Sequence, residues 1–293
     1  MFEIFTQPLT YGFMQRGMAA AVLVGILCAV VGCYVVLRGM AFLGDAMAHA
    51  ILPGVGVAYL LKGDILIGAL IAAIVIALGI GFFTRRDTLK EDTAIGILFA
   101  AMLALGVALI STIKTYAVDL THILFGNVLG VSNADLWLIA ALGMIALLTI
   151  VLLYKELLVI SFDPILAATM RLPTELLKNV LLILIALTVV VSVQTVGVGL
   201  VAAMLVTPAA TAYLLTRRLP AMMLVSGTLG ALASIVGLYL SYYLNVASGA
   251  AVVLTATFFF LLAYVFAPQR GWVWHVVRTT AGQGQAAART KTF

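Results

Sequence analysis

Charge is what this sequence has least of. Asp, Glu, Lys and Arg make up 9% of its 293 residues, against roughly a quarter in an ordinary soluble domain. Too little charge remains to coat a water-facing surface, which excludes a soluble enzyme, a nucleic-acid binder and a disordered scaffold. The net charge of +5 is then a question of which membrane face holds the basic residues, not a nucleic-acid footprint. Cysteine is nearly absent: Cys28 and Cys33 share one apolar run at a spacing that suits neither a CxxC site nor a disulfide framework, and read as small buried residues. No GxxxxGK[ST] occurs, so the chain has no P-loop for ATP. No HExxH or GxSxG occurs, so intramembrane proteolysis has no visible machinery. The 11 methionines are scattered, unlike the clustered thioethers of a Cu(I) path.

What is present in excess is apolar sequence, 65% of the chain with a mean hydropathy of +1.23. A hydrocarbon core of about 30 Å asks for roughly 20 apolar residues per helix. Runs of that length occur at 14–37, 42–61, 64–83, 93–112, 135–154, 219–243 and 249–267. The stretch 179–216 is too long for one span and is broken by Gln194, Thr195, Gly197 and Gly199, so it divides into 179–196 and 198–216. The first run is read as a span and not as a signal peptide. No ten-residue alternation points to a barrel. The fold class is therefore all-α, a polytopic transmembrane helical bundle of 8–9 membrane segments, with a transmembrane domain over 1–268 and a partly disordered tail over 269–293.

Lys and Arg set the orientation. Alternating nine spans puts 13 basic residues, Arg38 and Lys178 among them, on one face, and leaves Arg16, Lys62 and Lys114 on the other. The first face is read as cytoplasmic, with the N-terminus outside and the C-terminus inside. The external segment 113–134 carries a short apolar stretch from His122 to Val131 and reads as a re-entrant or interfacial element. His122 itself reads as a solvated loop residue. The longest cytoplasmic loop, 157–178, contains Asp163 and Pro164, a helix cap followed by proline at the first helical position, and Pro173 to end that helix. A short helix there suits either docking to another protein or a plain amphipathic connector. In the tail, Trp272 and Trp274 suggest an interfacial anchor.

Nearly every ionisable residue lies in a loop or at a helix end. The exception is Asp45 and His49, four apart and on one helical face, with small or apolar residues between them. A carboxylate inside the bilayer costs about 2.5–3.5 kcal/mol on insertion scales, so it has to line an aqueous cavity or bind something. Three readings stay open: an ion pair between helices, a proton relay, or a site for Mn, Fe or Zn built on a hard oxygen and an imidazole. Pro53 and Gly54, just beyond the pair, predict a helix break beside it. On the metal reading two donors are too few, and a second copy of the segment across a twofold axis would supply four.

The segment from Leu37 to Gly54, with its run Gly44-Asp45-Ala46-Met47-Ala48-His49-Ala50-Ile51-Leu52-Pro53-Gly54, resembles the signature of the membrane permeases of ATP-binding-cassette importers for manganese, zinc or iron. The resemblance covers about residues 11–268 and includes Ser161-Phe162-Asp163-Pro164 and the run from Gly199 to Thr211. Phe13-Met14-Gln15-Arg16 and Met40-Ala41-Phe42 make the manganese and iron branch the most similar. The resemblance implies a transport subunit without a nucleotide site or a permanently bound cofactor. It implies a second permease subunit, identical or paralogous, cytoplasmic ATPase subunits, an extracytoplasmic metal-binding protein and a bacterial plasma membrane, with no nucleic acid as partner. It implies that Asp45 and His49 handle the metal, and that Phe162, Asp163, Pro164, Ala167 and Leu172 belong to the ATPase-docking loop. Family members usually carry glycine four residues after the alanine of that loop, where this chain has Arg171 after Ala167; the departure bears on the local turn.

The expected function is thus the permease of an ATP-driven importer of divalent metal, Mn²⁺ first, with Zn²⁺ or Fe²⁺ as alternatives. An ion-coupled secondary metal carrier is the rival of a different class, and it usually carries more than one intramembrane acid. A membrane enzyme lacks a placed nucleophile, and a siderophore or vitamin permease has no use for an Asp/His pair.

Overall fold

The apolar runs become helices because a chain inside lipid has to satisfy its own backbone hydrogen bonds. The computed structural model describes residues 7–85, 89–112 and 128–267. Among them there are twelve α-helices and no strands. In chain order they are α1 (Gly12–Leu37), α2 (Leu43–Ala50), α3 (Leu52–Leu60), α4 (Ile65–Phe83), α5 (Glu91–Ser111), α6 (Asn133–Leu152), α7 (Tyr154–Phe162), α8 (Pro164–Thr169), α9 (Thr174–Val196), α10 (Val198–Leu215), α11 (Leu219–Leu244) and α12 (Ser248–Phe266). Taking α2 and α3 as one span, eight helices are long and apolar enough to cross a membrane, and α10 adds a shorter apolar stretch, Val201–Leu215. All nine sequence-derived segments are therefore helical. The re-entrant element expected at His122–Val131 lies largely outside the described residues, and what is described is a single turn, Val128–Gly130, packed on α1. The tail with Trp272 and Trp274 also lies outside them.

Helix α1 forms the axis of the bundle and packs against α6, α9, α10 and α11. Small residues permit the close approach. A Cβ at Gly32 would fall on the carbonyl oxygen of Leu205, and Gly25 and Gly230 abut in the same way. Buried hydroxyls complete the seam: Ser226 donates to the Ala29 carbonyl at 2.8 Å and Ser234 to that of Ala21 at 2.9 Å. Cys28 and Cys33 are buried free thiols, the first 3.0 Å from the Ser192 hydroxyl. Without a hydrophobic drive between helices in lipid, such packing and hydrogen bonds hold the bundle.

The long run 179–216 breaks at one residue, Gly197, whose φ of +87° ends α9 and opens α10. The expected cytoplasmic loop 157–178 is mostly helical. Leu157, Ile160 and Leu177 are buried, so periodic apolar residues pin its two ends to the bundle.

Candidate metal site and docking segment

Helix α2 wedges against α4, α5, α9 and α10. Its residues Leu43, Gly44, Ala46, Met47, Ala48 and Ala50 are buried, so the helix has only one narrow face left open. That face carries Phe42, Asp45 and His49, at successive positions along one stripe. The side chain of Asp45 is 38% exposed and that of His49 29%. Asp45 sits in the first turn of α2, where the helix dipole favours an anion, and His49 in its last turn, where it favours a cation. Asp45 Oδ1 and His49 Nε2 are 3.7 Å apart, too far for a hydrogen bond. Two donor atoms thus face the same opening without consuming one another.

Beside the pair the helical run is interrupted at one residue. α2 ends at Ala50, Ile51 is the joint, and Pro53 stands in the first turn of α3. Beyond the joint, α3 is interlocked with its neighbours. A Cβ at Gly54 would land on the Gly68 carbonyl of α4, one at Gly68 on that of Gly54, and one at Gly106 of α5 within 2.8 Å of Leu52. Gly44, before the joint, sits at ordinary contact distance from α10, with 3.4 Å from its would-be Cβ to the Leu205 side chain.

Sequence reasoning missed Phe99. Its ring lies edge-on to His49 at 6.0 Å and to Phe42 at 5.6 Å, so α5 covers the stripe on either side of Asp45. An aromatic within an apolar span gives no signal in the sequence. Among the described residues no group of three or more His, Cys, Asp or Glu side chains is placed to hold a metal ion; one chain offers this pair.

The segment around Asp163 forms the capped helix that the sequence expects. Asp163 accepts hydrogen bonds from the amides of Ile165 (3.0 Å) and Leu166 (2.9 Å), and Pro164 opens α8. Ala167 is buried and Leu172 packs on the core. Phe162, Ile165, Leu166 and Met170 are exposed and leave an apolar patch on the outside. Arg171 has φ +58°. Its amide donates to Ala168 and that of Leu172 to Ala167, the paired bonds of a left-handed helix stop that usually uses glycine. The turn is kept although the glycine is not.

A second polar cluster lies beside this segment. Glu91 Oε1 accepts from both Arg38 Nη2 and Lys178 Nζ, each at 2.7 Å, and Arg85 pairs with Glu175 at 2.6 Å. These residues, together with Pro164, line a cavity of about 590 Å³. In the sequence they stood out only as charges at helix ends.

Eight helices long and apolar enough to cross a membrane, one of them interrupted beside an acid and an imidazole, make the described residues a multi-pass membrane bundle. The chain belongs to the ABC 3 transport family, whose model matches residues 10–267. It is 48% identical to the manganese transport system membrane protein MntC of Halalkalibacterium halodurans over 91% of each chain. It is 44% identical to the manganese import system permease protein ScaB of Streptococcus parasanguinis, over 89% of this chain and 92% of that one. Among solved structures it is similar to PsaBC from Streptococcus pneumoniae in complex with Fab, with a TM-score of 0.82 and 42% identity over 92% of this chain and 97% of that chain.

Proposed function

We propose that the chain is the membrane permease subunit of an ATP-driven importer that carries Mn²⁺ into a bacterial cell. The observation that carries this reading is the half-exposed Asp45/His49 pair beside a helix break, in a chain similar over nine-tenths of its length to manganese permeases. On this reading Asp45 and His49 contact the metal in transit. Two such pairs, one from each permease subunit, make an O₂N₂ donor set that water can complete for Mn²⁺. ATP binds and is hydrolysed in separate cytoplasmic subunits seated on α8, whose outer apolar patch supports that role. A metal-binding protein delivers the ion on the opposite face, where the N-terminus lies, and the C-terminal tail is cytoplasmic.

The test is uptake of radiolabelled manganese by cells expressing the chain with its ATPase and binding protein, with Zn²⁺ and Fe²⁺ as competitors. Uptake that resists zinc and disappears in Asp45→Ala, while the ATPase still co-purifies, is the expected result. Normal uptake by Asp45→Ala removes the site assignment. Uptake of zinc or iron in place of manganese moves the substrate within the family.

A further inference from the structure

We propose that Glu91 is a positioning residue that couples the docking segment to the metal pair. This inference rests on the importer reading above. The carboxylate binds together the cytoplasmic ends of three helices. Arg38 is the C-terminal cap of α1, seven residues before Asp45. Glu91 is the first residue of α5, and two turns further along the same helix stands Phe99, against His49. Lys178 lies in the opening turns of α9, which follows α8 after a four-residue connection. One oxygen, Glu91 Oε1, receives both cations at 2.7 Å. The three side chains are 11%, 25% and 22% exposed for Arg38, Glu91 and Lys178, so the contacts are shielded from solvent and stronger than surface pairs.

The arrangement leaves few ways for α9 to shift when α8 is pulled by a partner. Lys178 takes Glu91 with it, or the bond to Glu91 opens. In the first case α5 slides along α2 and Phe99 moves against His49. In the second, Glu91 keeps only Arg38, and the α1–α2 turn loses this polar tie to α9. Either way this carboxylate is the polar link between the docking segment and the pair, beside the direct packing of α9 on α1 and α2. The second pair, Arg85 and Glu175, lies more exposed and joins the end of α4 to α9 at the rim of the same cavity.

The experiment uses the full assembly of permease, ATPase and binding protein in liposomes, and measures manganese transported and ATP hydrolysed in the same sample. For Glu91→Gln the expected result is at least a tenfold fall in metal moved per ATP, with the apparent KM for manganese unchanged. Lys178→Gln, which leaves the Arg38–Glu91 pair in place, is expected to lower the ratio in the same direction by less, and stands in if Glu91→Gln does not assemble. The double variant is expected to match Glu91→Gln alone. A residue with a merely structural role lowers transport and hydrolysis together, and a preserved ratio in both single variants overturns the proposal. Asp45→Ala runs alongside: if it transports normally, the site reading fails and the coupling role with it. If it is inactive while Glu91→Gln keeps its ratio, the coupling role fails alone.

Discussion

At the scale of single residues, Asp45 and His49 are held by their neighbours and not by each other. The buried positions around them lock α2 in place, and Phe99 fixes one edge of the imidazole. Aromatic edge contacts contribute about 0.5–1.5 kcal/mol. Phe99→Ala is therefore expected to raise the apparent KM for manganese about three- to tenfold in uptake kinetics, with the ATPase still bound. An unchanged KM would reduce the contact to packing. Arg171 gives a prediction of opposite sign. A side chain in the left-handed region costs about 1 kcal/mol relative to glycine, so Arg171→Gly is expected to stabilise the purified protein by about 0.5–1 kcal/mol. Arg171→Ala, which keeps a Cβ, is expected to give no such gain in the same thermal unfolding measurement.

At the scale of elements, glycines in the spans do different work at different contacts. The Cβ of Gly32→Ala would fall on the backbone of Leu205, which cannot swing aside, whereas that of Gly44→Ala would meet the Leu205 side chain and the Ala202 Cα at ordinary contact distance, 3.4 and 3.5 Å. Gly32→Ala is expected to cost about 1–3 kcal/mol and Gly44→Ala well under half of that, read as the thermal shift of each variant in detergent. Those close contacts were not legible in the sequence, since glycine in an apolar run gives no address for its partner. The elements themselves were legible, because each span needs a run of fixed length and because Gly197 and Pro53 interrupt such runs. The capped helix after Asp163 was legible for the same local reason. The helical course of most of 157–178 was not, as its apolar positions read equally well as an amphipathic connector. The pairing of Glu91 with Arg38 and Lys178 joins residues distant in the chain, and only the fold brings them together.

At the scale of the whole molecule, the chain carries a half-exposed Asp45/His49 pair on an interrupted span and no P-loop motif. On the proposed function neither energy source nor complete ligand set resides in a single copy. The chain reconstituted alone in liposomes is expected to show no manganese flux under a pH gradient, and to regain it with the ATPase, ATP and binding protein present. Flux driven by protons alone would replace the importer with a secondary carrier. Much of the outer surface of α4, α5, α6 and α12 is apolar and exposed, as suits helices that meet lipid or another membrane subunit.

The interlock of Gly54 with Gly68, and of Gly106 with Leu52, divides one span into two mechanical parts. α3 is interlocked with α4 and α5, while Gly44 of α2 rests on α10 at ordinary contact distance and Ile51 joins the two helices. On the proposed function, the wall of the metal path is held by close backbone approach on one side of the joint and by side-chain packing on the other. Side-chain packing yields more readily than interlocked backbone, so a strain placed on this span is expected to be taken up on the α2 side of Ile51.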